Sequence, residues 1–170
     1  MDAHTCLLYA EALRYPEPGH LEFLEEGVLM ASPGAERQHV ADFLAGVRPL
    51  SLGAWEELHT RTLDLNPPAA PYLGFQTWGE SYQRGAFLAK MSREVVEGEI
   101  DAEGELPDHL IPVLRYLAQA ESPLPELVEI FEPSVKRMAA SLRQSDPANP
   151  YLHLLDGLHS LAKSLPKEAV

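Results

Sequence analysis

Carboxylates crowd one short stretch of the chain, which ends at a Pro-Asp-His step. Between positions 94 and 108 there are seven acidic residues and no basic residue: Glu94, Glu97, Glu99, Asp101, Glu103, Glu105 and Asp108. His109 follows at once, and an apolar helical pattern begins at Leu110. These residue types in this order are compatible with a metal site, an acid/base pair, a helix cap or a docking surface for a partner.

Of these four interpretations, the metal site and the acid/base pair have weaker support than the helix cap and the docking surface. None of the seven histidines belongs to an i, i+4 pair with an intervening glutamate, the spacing that places zinc ligands on one helix face, and the single cysteine excludes a CxxC motif. Phosphate-binding glycine loops and the G-x-S-x-G nucleophile elbow are absent from the sequence. A catalytic pair of Asp108 and His109 would also need a nucleophile and an orienting group. We therefore expect no catalytic residue, no metal ligand and no cofactor.

A structural role for Asp108 is simple to state. A carboxylate ahead of an apolar helix accepts hydrogen bonds from free N–H groups in the first turn and puts negative charge at the positive end of the helix dipole. Pro112 lies in the same turn, so the cap could fall a residue or two later. The acidic run itself is typical of a solvated loop, and Gly98 and Gly104 make it pliable enough to bind a partner.

Whole-chain composition excludes several classes of partner. Thirteen lysines and arginines against twenty-six acids leave a formal charge of -13 on 170 residues, which disfavours nucleic acid and anionic lipid. No apolar run approaches the roughly 18 residues of a membrane span. The N-terminus carries Asp2 and no cation before Arg14, unlike a signal peptide, and Cys6 has no cysteine with which to pair. We expect a cytoplasmic protein without direct membrane insertion.

Helical spacing of apolar residues runs through the chain, whereas strand and hairpin signals are nearly absent. We predict an all-α fold, a single compact helical bundle domain over residues 1–170. Helices are expected at about 3–15, 21–31, 35–47, 52–63 and 72–95, and again from Leu110, from a start framed by Pro123 and Pro125, and from Pro150. Asn149 is expected to cap the last of these.

Prolines and glycines punctuate this pattern. The segment DLNPPAAP at 64–71 must be a connector. Three glycines inside the expected helix over 72–95 indicate a kink, a break or a close backbone contact. They are Gly74, Gly79 and Gly85. Pro133 falls within an apolar stripe that keeps its phase, so that region is either one kinked helix or two stacked segments.

Three quoted segments resemble a known family. They are LHTRTLDLNPPAAPYLGFQTWGESYQRGAFLAKM, ELPDHLIPVLRYLA and, more weakly, NPYLHLLDGL. The progression from Thr-x-Asp through Tyr-Leu to Gly-Glu-Ser-x-x-Arg-Gly, followed by ELPDHL, is similar to the delta-subunit chaperones of respiratory nitrate reductase, the NarJ type. These form a branch of the TorD/DmsD redox-enzyme maturation chaperones. The resemblance covers residues 58–120 well and the ends loosely.

The resemblance implies an all-helical chaperone without catalytic activity. Such a protein holds the N-terminal segment of the apo catalytic subunit of nitrate reductase until the molybdenum cofactor is inserted, before membrane attachment, and the cofactor-insertion machinery is a further candidate partner. Carried over by position, the peptide groove would be lined or supported by Tyr72, Trp78, Gly79, Tyr82, Arg84 and Gly85. Its rim would be Glu105, Pro107, Asp108 and His109, with Asp108 capping the helix.

The sequence leaves alternatives open for both the partner and the activity of the protein. A basic amphipathic peptide would place its apolar face on the aromatic side chains and its cations against the carboxylates of 94–108. The same fold could instead serve a sulfoxide or N-oxide reductase. A small hydrolase or metal-dependent enzyme that uses His109 is the alternative from a different class.

Overall fold

Nine α-helices and one π-helical turn make up the regular structure in the computed structural model, which describes residues 2–65 and 69–166. Within those ranges no strand forms, although Tyr72 and His109 pair in an isolated antiparallel bridge. The helices are α1 (Ala3–Leu13), α2 (His20–Met30), α3 (Ala35–Val47), α4 (Leu52–His59), α5 (Leu73–Trp78), α6 (Tyr82–Glu97), α7 (Leu110–Gln119), α8 (Pro125–Ser145) and α9 (Tyr151–Ala162). The predicted all-helical bundle is confirmed.

Side chains cap the first and last helices. Asp2 Oδ1 accepts a hydrogen bond from the backbone N–H of His4 at 3.2 Å. Asn149 Oδ1 accepts one from the N–H of Tyr151 at 2.9 Å, which confirms the predicted cap of α9. Such caps satisfy N–H groups that have no partner inside the helix.

Two helix ends differ modestly from the prediction. α1 ends at Leu13 and not at Tyr15, ahead of Pro16. The helix expected over 52–63 is α-helical only as far as His59 and then widens into a π-helical turn, Thr60–Asp64. Part of the expected connector, residues 66–68, lies outside the described residues.

The helix expected over 72–95 is divided in two, since a break, one of the three interruptions that its glycines allowed, occurs at Gly79. Gly79 has a φ of 64°, which lies in the left-handed region that residues other than glycine rarely adopt. α5 ends at Trp78, just before this residue. Ser81 then starts α6 by accepting a hydrogen bond from the N–H of Arg84 at 3.4 Å. α5 and α6 are therefore separate helices.

Pro133 is accommodated inside one helix. α8 runs without a break from Pro125 to Ser145, and Pro133 sits on its exposed side. The buried side carries the predicted stripe of Leu127, Phe131, Val135, Met138 and Leu142. The alternative of two stacked segments is therefore wrong.

α1 lies at the centre of the core, where it packs against α7, α2, α3 and α9. Cys6 is fully buried on this helix, and burial raises the pKa of its thiol to about 11. In the described part of the chain, no helix combines the length and the apolar character needed to cross a bilayer.

A tyrosine passes between helices at a glycine. Tyr9, on α1, is fully buried and its hydroxyl donates to the backbone carbonyl of Glu36 on α3 at 2.7 Å. A Cβ on Gly157 of α9 would collide with that hydroxyl and lie 2.9 Å from the Cβ of His39. The absence of a side chain at Gly157 lets α1, α3 and α9 approach one another.

We predict that Gly157→Ala destabilises the protein although alanine is the better helix former. The added methyl group should displace Tyr9 and lower the free energy of unfolding by about 2 kcal/mol. Gly85→Ala is the matched control, since a Cβ there meets open space, and it should raise that free energy by about 0.5–1 kcal/mol. Urea unfolding of both variants at neutral pH measures the difference, and equal effects would contradict the packing argument.

Candidate functional site

Two extended segments meet side by side in the middle of the molecule. The N–H of Leu73 donates to the carbonyl of Asp108 at 2.9 Å, and the N–H of Leu110 donates to the carbonyl of Pro71 at 2.8 Å. These bonds form the bridge that brings the start of α5 against the start of α7. Residues far apart in sequence thereby enter one cluster.

A buried ion pair occupies this junction. Arg84 Nε donates to Asp108 Oδ2 at 3.0 Å, and a terminal nitrogen of the same guanidinium donates to Oδ1 at 3.3 Å. The Asp108 side chain has no exposed surface, and that of Arg84 is 7% exposed. A Cβ on Gly74 would lie 2.7 Å from Asp108 Oδ2, so glycine is needed there for the carboxylate to fit.

Aromatic rings and a second acid surround the guanidinium. Arg84 lies over the ring of Tyr72 at 5.6 Å and the ring of Phe75 at 5.5 Å, within the range of cation–π attraction. It also donates to Glu80 at 2.6 Å. Burial acts to lower the pKa of Arg84, but the hydrogen bonds and charge of Asp108 outweigh it and raise that pKa. The guanidinium is held as a cation.

Tyr72 extends the cluster towards the acidic segment. Its hydroxyl donates to Glu105 Oε2 at 2.5 Å, and its ring meets that of His109 edge-on at 5.0 Å between centroids. Burial, followed by the hydrogen bond to Glu105, raises the pKa of Tyr72. We call Tyr72, Arg84, Glu105, Asp108 and His109 the clamp, because together they tie α5, α6 and the loop before α7.

The cap of α7 is His109, and the prediction that Asp108 caps this helix is wrong. His109 Nδ1 accepts a hydrogen bond from the N–H of Ile111 at 3.0 Å, which requires a neutral ring with its proton on Nε2. Burial lowers the pKa of His109 to about 4, although the charge of Glu105 acts to raise it. Asp108 is diverted from the cap because the Arg84 cation binds its carboxylate inside the protein.

This geometry does not make an Asp–His dyad of the kind used for proton transfer. The Asp108 carboxylate binds Arg84, while the Nδ1 of His109 is occupied by the backbone of α7. The cluster's polar atoms therefore serve to position helices.

The predicted site residues divide between interior and surface. Arg84, Asp108 and His109 are buried, so they offer a partner little surface in this conformation. Gly74, which was not among the predicted site residues, belongs with them because it makes room for Asp108.

The remaining predicted residues lie nearer the surface. Trp78 is partly buried and tilts against Phe87 at 5.4 Å. Pro107 is also partly buried, and Gly79 forms the break described above. Tyr82 is 96% exposed, and Gly85 is exposed beside it on α6. Tyr82 is thus the one predicted aromatic that offers its whole ring to solvent.

Part of the acidic segment is neutralised within the protein. Glu103 pairs with Arg14 at 2.7 Å and with Arg115 at 3.5 Å, and Asp101 Oδ1 accepts the N–H of Glu103 at 2.8 Å. Together with Glu105 and Asp108, these acids have internal partners. Their charge is therefore less available to a partner than the sequence suggests.

A groove of about 640 Å³ opens at the start of α8, where sequence analysis placed no site. Its lining includes Glu121, Ser122, Pro123, Pro125, Val128, Glu129, Glu132, Pro133, Ala162 and Pro166. A recess lined by Glu94, Glu97 and Tyr116, among others, shares Glu121 and Ser122 with it. We call the groove and this recess together the acidic groove.

The acidic groove combines apolar side chains and carboxylates in one lining. Carbon-rich side chains such as Pro123, Val128 and Ala162 line it, and five glutamates accompany them. No lysine or arginine stands among its lining residues in the described ranges. A helical stripe in the sequence could have revealed one wall, since positions 125, 128, 129, 132 and 133 share one face of α8.

We predict that Asp108→Asn destabilises the fold strongly, because it leaves the Arg84 charge buried beside a neutral amide. The free energy of unfolding should fall by about 3 kcal/mol or more in urea unfolding at neutral pH. Glu80→Gln removes the other carboxylate that pairs with Arg84. Because the Glu80 side chain is 80% exposed, this variant should change the free energy of unfolding by no more than about 0.5 kcal/mol. Similar losses from the two variants would show that burial of the pair is unimportant.

Stability should also depend on pH through His109. The folded protein disfavours the charged ring, so it binds fewer protons than the unfolded chain between pH 6.5 and about 4. The free energy of unfolding should therefore fall as the pH decreases through this window, with His109 contributing on the order of 2 kcal/mol.

His109→Asn isolates this contribution. Asparagine keeps a side-chain acceptor at the cap but does not titrate, so the variant should lose less stability than wild type between pH 6.5 and 4. Chemical denaturation across that range measures both slopes, and all the other titratable groups are common to the two proteins. If the stabilities of the two proteins fell in parallel with pH, the assignment of this pH dependence to His109 would be contradicted.

A scan against protein-family models finds no family whose model matches the chain, and a search of curated proteins finds no match.

Proposed function

We propose that the protein is a cytoplasmic, non-catalytic chaperone that binds a basic amphipathic segment at the N-terminus of a client enzyme. The client is the apo catalytic subunit of a respiratory nitrate reductase, held while the molybdenum cofactor is inserted and before membrane attachment. The acidic groove is the observation that carries the peptide-binding function. The resemblance of residues 58–120 to nitrate reductase chaperones supports the choice of client.

The acidic groove offers two kinds of surface, apolar and negatively charged, which match the two faces of a basic amphipathic helix. An amphipathic helix would bury its apolar side chains against Pro123, Val128 and Ala162. Its lysines and arginines would meet Glu121, Glu129 and the other carboxylates, which steer the encounter and set its salt dependence. The volume is that of a typical ligand site, enough for several side chains of the peptide.

The clamp supports this function by positioning one wall of the acidic groove. It holds the start of α7, and the far end of the same helix reaches the groove through Tyr116, whose hydroxyl accepts from the N–H of Leu124 at 3.1 Å. Gln119 donates to the carbonyl of Gly98 at 3.0 Å and joins α7 to the end of α6. The motif residues therefore act on the peptide through the scaffold.

We predict saturable binding of the client's N-terminal peptide, measured by calorimetry with the purified protein. Glu121→Gln/Glu129→Gln should weaken it about fivefold at 50 mM salt, since each exposed pair contributes a fraction of a kcal/mol, and the difference should shrink at about 500 mM salt. Glu22→Gln/Glu26→Gln is the matched control, because it removes the same charge from exposed positions on α2. It should bind like wild type.

Further binding experiments locate the surface that holds the peptide and identify the client enzyme. Tyr82→Ala should leave affinity unchanged if the peptide lies in the acidic groove, and should weaken it if the peptide lies on the aromatic surface of α6. Peptides from sulfoxide and N-oxide reductases test the alternative clients. No heat from any of these peptides at about hundred-micromolar concentrations, where complexes of ordinary affinity would be largely formed, would refute the chaperone function.

A further inference from the structure

Three possible metal ligands converge between α3 and α9, away from the clamp and the acidic groove. His39 and Asp42 are three residues apart on α3 and therefore share a face, and His153 lies in the first turn of α9. One ligand atom from each residue lies within 4.8 Å of the other two. Two imidazoles and a carboxylate form a donor set that suits zinc and related divalent ions.

His39 has a polar atom that the fold leaves without a partner. Its Nδ1 is buried without a hydrogen bond, and within the described ranges its ring makes none. Buried polar atoms without partners are uncommon and costly. His20 and His59 also have a buried Nδ1 without a partner, but in each of them Nε2 contacts a backbone carbonyl at 2.9 Å. The His39 Cβ lies where a Cβ on Gly157 would meet it at 2.9 Å, so His39 is next to α9, and its ring lacks even that bond.

Asp42 is already oriented by a neighbour. Gln38 Nε2 donates to Asp42 Oδ1 at 2.9 Å, one turn earlier on α3. That bond leaves the second carboxylate oxygen for a ligand. Hydrogen bonds of this kind, made to a ligand from outside the coordination sphere, orient metal sites in general.

We propose that His39, Asp42 and His153 bind a divalent transition metal ion of the zinc type and thereby join α3 to α9. Ligand atoms around tetrahedral zinc lie about 3.3 Å apart, so the side chains must close by up to about 1.5 Å, which rotation about their χ angles can supply. Water completes the coordination. The ion binds the folded protein because only the packed pair of helices brings the three ligands together.

Zinc titration of the metal-stripped full-length protein tests this site directly. We expect one zinc ion per chain by calorimetry. With zinc at about a hundredfold excess over the dissociation constant, the melting temperature should rise by about 5–10 °C relative to protein in chelator. His153→Gln and Asp42→Asn should each lower the zinc affinity about tenfold or more and remove most of the thermal shift. His39→Asn should do the same.

Matched controls remove a histidine and an aspartate from elsewhere. His4→Gln and Asp156→Asn lie outside the cluster and should keep both the stoichiometry and the thermal shift. Retained one-to-one binding in both His153→Gln and Asp42→Asn would overturn the proposal, as would the absence of stoichiometric binding by wild type at about 100 µM zinc. Because the readouts are zinc affinity and melting temperature, neither result depends on peptide binding.

Discussion

The pairing of Arg84 with Asp108 inside the protein is the constraint on which the central part of the fold depends. A buried carboxylate and a buried guanidinium are each costly alone, so the chain must bring them together and satisfy their remaining hydrogen-bonding groups. It does so by joining the backbone ahead of α5 to the backbone ahead of α7 and by placing Gly74 where the carboxylate needs room. α5, α6 and α7 are thereby held in one relative arrangement.

The acidic charge of the protein has two different uses. Glu103, Glu105 and Asp108 are engaged by arginines or by Tyr72 within the fold, and they hold segments of the protein together. In the acidic groove, Glu121 and Glu129 stand beside apolar side chains, Glu132 contacts His159 Nε2 at 3.2 Å, and no lysine or arginine belongs to the described lining. A net charge of -13 therefore indicates less about binding than the position of each carboxylate does.

Local patterns predicted most of the helices because their causes are local. Apolar spacing and capping residues placed α3 at 35–47 and the cap of α9 at Asn149. The errors have identifiable causes. The spacing of apolar residues continues across Gly79, so periodicity could not distinguish a kink in one helix from the break that the backbone makes there. Asp108 has the right residue type and position for a cap, but an arginine twenty-four residues earlier binds it more strongly than free N–H groups would.

The sequence by itself determined an all-helical chain, the positions of most of its helices, a large negative charge and the membership of Tyr72, Arg84, Glu105, Asp108 and His109 in one region of interest. The helices and the charge follow from residue type and from neighbours a few positions away, whereas the grouping of these five residues is what the resemblance of residues 58–120 to nitrate reductase chaperones implies. Only the tertiary structure decided that three of these residues are buried, that glutamates and apolar side chains line one groove beside α8, and that His39 and Asp42 meet His153. Each depends on contacts between segments distant in sequence, which spacing along a single helix cannot encode.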